Sequence, residues 1–134
     1  QRGAAAVEFA LVAMILFVLL INAVQFGQVL YTWNSAVEAT RRGARTAAIV
    51  AIGDNAAILA AMQLSMPALT AGNVAVEYSA NGTFLDSCAV GTCRFVRVSI
   101  TGYTYVLPFP IPVPSLALPP FATTLTVEAL GNVE

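Results

Sequence analysis

The residue types that most often carry reactions are thin in this chain. It has no histidine and no lysine, and six arginines face seven carboxylate side chains for a net charge of −1. Without imidazole there is no Ser-His or Cys-His dyad and no histidine-bound metal. A centre of four thiolates needs more than the two cysteines present. The arginines make no basic field that would hold nucleic acid. A carboxylate hydrolase is the enzyme class that survives, and its candidates Glu38, Glu77, Asp86 and Glu128 fall in separate segments without a recognisable motif. No catalytic, cofactor-binding or metal residues are expected, and the reading is non-enzymatic.

Cys88 and Cys93 stand in the run C-A-V-G-T-C. A turn of that length brings two Cα atoms within disulfide range, whereas a redox-active pair normally reads C-x-x-C. A structural disulfide is expected, and with it an oxidising compartment. Glu8 is the one charge inside a long apolar stretch. A carboxylate in a spanning segment costs about 2.5–3.5 kcal/mol and commonly marks function. The competing reading is a near-terminal side chain that snorkels to headgroups, helped by the positive end of the helix dipole. Asn81-Gly82-Thr83 matches a glycosylation sequon, a pattern too short to carry weight.

These positions need elements to hold them. The chain has 134 residues, 58% apolar and only 10% charged, against roughly 25% charged in ordinary globular proteins. The excess is concentrated: Phe9 to Ile21 contains no polar side chain. As a helix, residues 4–24 span about 30 Å, the hydrocarbon thickness of a bilayer. An all-round apolar helix must be buried in lipid or in an assembly, because the rest of the chain is too short to enclose it. The apolar run is too long for a signal-peptide core, and no A-x-A cleavage site with a following turn appears. The pattern continues as an amphipathic helix over 25–52, with Phe26, Leu30, Trp33, Val37, Thr40, Ala44, Ala47 and Ala51 on one face. Glu38 can pair with Arg41 or Arg42, and Gly27 and Gly43 mark a bend or a close helix contact.

Gly53-Asp54 ends this helix and caps a second one that Pro67 stops. The period then changes to two. Strands are expected at VAVEYS, at FVRVSITGYTYV (with Val96, Val98, Ile100 and Val106 on one face), and at FATTLTVEA, and Asn81-Gly82 signals a turn. The fold class is therefore α+β: a long N-terminal helix, its second half packed on a small antiparallel sheet of three to four strands. The expected division is a leader remnant at 1–3, an apolar helix at 4–24, its amphipathic continuation at 25–52, and a globular α+β region at 53–134. All prolines but Pro67 lie in the stretch LPFPIPVPSLALPPF, read as an extended crossover. Phe109, Ile111 and Val113 in it either pack as an ordinary loop or form an apolar contact surface.

The opening RGAAAVEFALV resembles a prepilin-peptidase substrate: Gly3, small residues from Ala4, Glu8, then Phe9 and the apolar helix. Phe26-Gly27, Asn34 and the stretch from Ala39 to Arg45 resemble the TadE-like family of the tight adherence (Tad/Flp) pilus system. The long strand, proline-rich crossover and final Thr-rich strand are also similar. The resemblance implies cleavage between Gly3 and Ala4, with Glu8 and Phe9 setting assembly register. It also implies a pilin or pseudopilin that waits in the bacterial inner membrane, its C-terminal domain outside. From there it would be extracted into a surface filament used for adhesion. The implied partners are copies of itself or other pilin subunits, the prepilin peptidase and the assembly platform, with no cofactor and no nucleic acid. The alternative is a single-pass anchored binding module that does not polymerise.

If the crossover is an interface, changing Phe109, Ile111 and Val113 together to Ser impairs assembly more than it lowers the melting point of the isolated soluble domain. Equal fibre yield from mutant and wild type removes that reading.

Overall fold

The computed structural model describes residues 2–84, 88, 91–106 and 115–126. Helix α1 runs Arg2–Ile49 and helix α2 runs Asn55–Gln63; a 3-10 turn at Ala71–Asn73 leads into the strands. These are β1 (Val74–Ser79), β2 (Phe95–Ile100), β3 (Thr104–Tyr105), β4 (Leu116–Ala117) and β5 (Phe121–Thr126). The long helix and three-stranded antiparallel sheet are the α+β architecture expected from the sequence. The chain divides into two compact units, residues 1–31 and 32–134.

The first unit is helical. Its apolar side chains from Val7 to Val24 are largely exposed, and the helix is long and apolar enough to cross a membrane. A helix satisfies its own backbone hydrogen bonds, which is the condition for any segment that leaves water. The Asn22 side-chain amide is satisfied the same way, donating to the Val18 carbonyl at 2.7 Å.

In the second unit the sheet order is β1-β2-β5, with every pairing antiparallel. β2 is central and contributes Val96, Val98 and Ile100 to the core. Val76 and Thr123 flank Val98 in register, and Tyr78 and Leu125 flank Val96. Phe121, Thr123 and Leu125 face the core side while Ala122, Thr124 and Thr126 are exposed, the alternation expected of β5.

The helical residues covering this core are small: Ala36, Ala39, Thr40, Gly43, Ala44 and Ala47 are buried. A Cβ built on Gly43 would lie 2.7 Å from Met62 Cγ and 3.1 Å from Val98 Cγ1. Gly43 is thus the close contact that its sequence position suggested, whereas Gly27 has open space around it. Helix α2 adds Ile58 and Met62, and the segment after it adds Met66 and Leu69. Asp54 caps α2, its carboxylate accepting the Ala57 N–H at 3.2 Å, and Gly53 takes the left-handed conformation (φ 99°) that lets the chain turn between the helices.

Four details differ from expectation. The helical stripe is buried only in its later part: Phe26 is 65% exposed and Leu30 and Trp33 remain open to solvent, as does Ala51. Burial on this helix begins at Ala36 and falls on the small residues Ala36, Ala39, Ala44 and Ala47 rather than on the large apolar ones. The helix itself ends at Ile49. The long second strand is broken after Ile100: Thr101 N–H still bonds the Asn73 carbonyl in the register with β1, and then Gly102 turns left-handed (φ 66°). Val106 is consequently 74% exposed rather than on the core face. Finally, the crossover is not wholly unpaired: β4 pairs antiparallel with β3, Thr104 against Ala117 and Tyr105 against Leu116.

Gly43→Val is expected to destabilise the full chain in detergent by about 2 kcal/mol through overpacking. Gly43→Ala costs less, because the gain in helix propensity of up to ~1 kcal/mol offsets part of the strain. Denaturant unfolding followed by near-ultraviolet circular dichroism tests this, and wild-type stability in the Val variant rules out a tight contact.

Candidate functional site

Among residues 1–31, Gly3, Ala4, Glu8 and Phe9 lie in the first turns of α1. A side chain on Gly3 would meet nothing within 4 Å, so packing within this chain gives no reason for glycine there. Ala4 and Glu8 are four residues apart and share one helix face. Glu8 is exposed, and Phe9 beside it is 75% exposed. The surface that follows, from Leu11 to Leu20, is apolar on every side. Such a surface can be removed from water by lipid or by other helices, at roughly 25 cal/mol per Å² buried. It offers no group for bond-making chemistry.

Two arginine–carboxylate pairs stand in the second unit. Arg42 Nε donates to Glu38 Oε1 at 2.9 Å, the i,i+4 pair expected from the sequence. That hydrogen bond holds the Glu38 carboxyl below the usual carboxylate range, with a smaller pull from the Arg41 and Arg45 charges. Glu77 and Arg97 face each other in register across β1 and β2. The Arg97 Nη2 donates to Glu77 Oε2 at 2.6 Å, and its guanidinium lies 4.3 Å from the Phe84 ring centroid. The two candidate hydrolytic carboxylates that are described, Glu38 and Glu77, are thus each tied to an arginine. Asp86 and Glu128 lie outside the described residues. Among the described residues no three His, Cys, Asp or Glu side chains gather as a metal would require.

Neutral contacts fasten the helix to the sheet. Thr40 Oγ1 donates to the Val37 carbonyl at 2.8 Å and accepts from Thr123 Oγ1 at 3.0 Å. This links α1 to β5 inside the core. Trp33 meets the Phe121 ring edge-on, with centroids 5.0 Å apart. On the other flank the Tyr78 hydroxyl donates to the Ala47 carbonyl at 3.4 Å, and burial pushes its pKa up. An open groove of about 160 Å³ adjoins it, lined by Val50, Ile52 and Cys93 among others. Among the described residues of its lining, the Tyr78 hydroxyl is the one titratable group.

Cys88 and Cys93 are joined in a disulfide, with Cα atoms 5.4 Å apart, in the connection between β1 and β2. Phe109, Ile111 and Val113 lie outside the described residues. Sequence reasoning missed the Thr40–Thr123 link, the Arg97–Phe84 stack and the Tyr78 hydroxyl bond. Only the first had a legible signal, a threonine on each of two apolar faces that were expected to meet.

Residues 3–45 match the family model described as TadE-like protein. The resemblance read from the opening residues is therefore shown over the apolar part of α1 and into its packed part. The matched stretch includes Phe26-Gly27, Asn34 and Ala39 to Arg45, and it ends before the strands. No curated protein and no solved structure matches the chain.

Intact mass with and without reductant is expected to differ by the two hydrogens of one disulfide. Reduction should lower stability by about 2 kcal/mol, the loop-closure entropy of so short a ring. Two free thiols in protein taken from the cell surface contradict both expectations.

Proposed function

We propose, taking the TadE-like N-terminal segment as premise, that this chain is a non-enzymatic structural subunit of a Tad-type pilus. Residues 4–24 hold it in the inner membrane before assembly and bundle with their counterparts in the filament afterwards. The observation that carries this reading is the apolar surface from Val7 to Val24, which the chain leaves uncovered although the same helix packs tightly further along. Such a surface is stable only in lipid or among like helices.

Glu8 supplies what an apolar bundle lacks. Smooth apolar helices slide along one another at little cost, so shape alone sets register weakly. One charge at a fixed depth sets it strongly, because an unpaired carboxylate in a low-dielectric core is costly. With the bond after Gly3 cut, the new Ala4 amine lies one turn above Glu8, and a neighbour's amine can neutralise that carboxylate. Cleavage at Gly3 suits the finding that nothing in the fold fills the space beside it. Without cleavage, Arg2 of a neighbour takes the place of the amine.

Glu8→Ala is expected to insert into the membrane as well as wild type and to be incorporated poorly into fibres. Fibre yield is measured for Glu8→Ala and Glu8→Gln, with the processing of each checked by mass. Wild-type yields from both variants rule out a register charge. A chain absent from sheared surface fibres, with its helix intact in the membrane, would be an anchored binding module and not a filament subunit.

A further inference from the structure

Asn81-Gly82 is the single Asn-Gly pair of the sequence, and it sits at an exposed turn just after β1. Gly82 has φ 86°, the left-handed conformation that this turn requires and that glycine adopts without strain. The neighbours of the Asn81 side chain are arranged in a particular way. Its amide oxygen Oδ1 accepts the Thr83 backbone N–H at 3.0 Å and the Thr83 hydroxyl at 2.5 Å. Ser79, only 1% exposed, places its Oγ 3.1 Å from the Gly82 nitrogen and accepts that N–H. The Ser79 Oγ also lies within hydrogen-bond distance of the Thr83 carbonyl and, at 3.1 Å, of Asn81 Oδ1, and its one proton serves one of them at a time. The Asn81 carboxamide is thus polarised by two donors, while the adjoining backbone nitrogen is held in a fixed direction by an acceptor.

We propose that Asn81 is a self-modifying site at which this turn promotes deamidation. Opening of the Gly82 N–H bond to Ser79 Oγ releases this proton to solvent hydroxide, and the deprotonated nitrogen attacks Asn81 Cγ, forming an N–Cγ bond. Negative charge develops on Oδ1, where the Thr83 N–H and hydroxyl already point, the arrangement that stabilises an oxyanion without reorganisation. The Cγ–Nδ2 bond then breaks, and the leaving nitrogen takes a proton from water and departs as ammonia. Water adds across the resulting five-membered imide and opens it to aspartate or isoaspartate at position 81. No metal, cofactor or second protein is needed, since nucleophile and electrophile are adjacent in the chain and the effective concentration is correspondingly high. The aspartate product keeps the same two donors, now bonded to a carboxylate, so the turn survives with one more negative charge.

The test incubates the full chain in detergent at mildly alkaline pH, with peptide mapping by mass and assay of released ammonia. Wild type is expected to accumulate the acid at position 81 faster when folded than when unfolded in urea, and Asn81→Gln is expected to remain unchanged. Thr83→Val, which keeps the backbone donor and removes the hydroxyl, should slow the folded reaction about fivefold, the contribution of one ordinary hydrogen bond. Thr83→Ser should restore the rate and guards against a folding defect in the Val variant. A folded rate at or below the unfolded rate overturns the proposal. So does a Thr83→Val rate equal to or above wild type, because the hydrogen bonds would then merely restrain the amide.

Discussion

The second unit depends on the absence of side-chain bulk along one strip of α1. Alanines 36, 39, 44 and 47, with Gly43 among them, let the helix lie close against Val98 and Met62. Dispersion and the exclusion of water act only over such short separations, and interiors are packed nearly as densely as organic crystals. The larger side chains come from the other layers: Val96, Val98 and Ile100 from β2, and Ile58, Met62, Met66 and Leu69 from α2 and its continuation. Hydrogen bonds to Thr40 and Ala47 then fasten β5 and β1 to the same helix. Neither bond would form if the helix stood further from the sheet.

The first unit follows the opposite rule on the same helix. From Leu11 to Leu20 its side chains are, Ala13 apart, large and apolar, and almost none is buried by the chain itself. Backbone propensity does not separate the two stretches, since both are helical. What separates them is side-chain volume: small where the chain covers the helix, large where the cover must come from elsewhere. The TadE-like match spans this change of texture, from residue 3 to residue 45.

Much of this was legible before any coordinates. The length and all-round apolarity of α1 name their own solvent, Asp54 announces the start of α2, and the alternation in VAVEYS marks β1 residue for residue. The Cys88–Cys93 spacing pointed to the bond that is found. The buried face of the helix was harder to read. Phe26, Leu30 and Trp33 look like core residues because they are large and apolar, yet the sheet meets the helix at alanines, whose small transfer energy makes a faint pattern. The end of β2 was hidden because Thr101 to Val106 keeps β-branched and aromatic residues on both sides of Gly102, and one glycine's backbone conformation decides against them. The β3–β4 pairing was masked by prolines, which argue against a ladder although Leu116 and Ala117 are free to join one. At the candidate site, Glu8 was visible as a lone charge. That Gly3 has no packing role required the coordinates.

Trp33 is the only tryptophan of the chain, and its ring rests edge-on against Phe121 while remaining 42% exposed. The fluorescence of the whole protein above the tyrosine background therefore comes from one indole, placed where helix meets edge strand. Its emission reports the docking of β5 on α1, and quenchers in water can reach it without penetrating the core. An optical signal for separation of these two elements is thus already present in the natural sequence, with no label and no substitution.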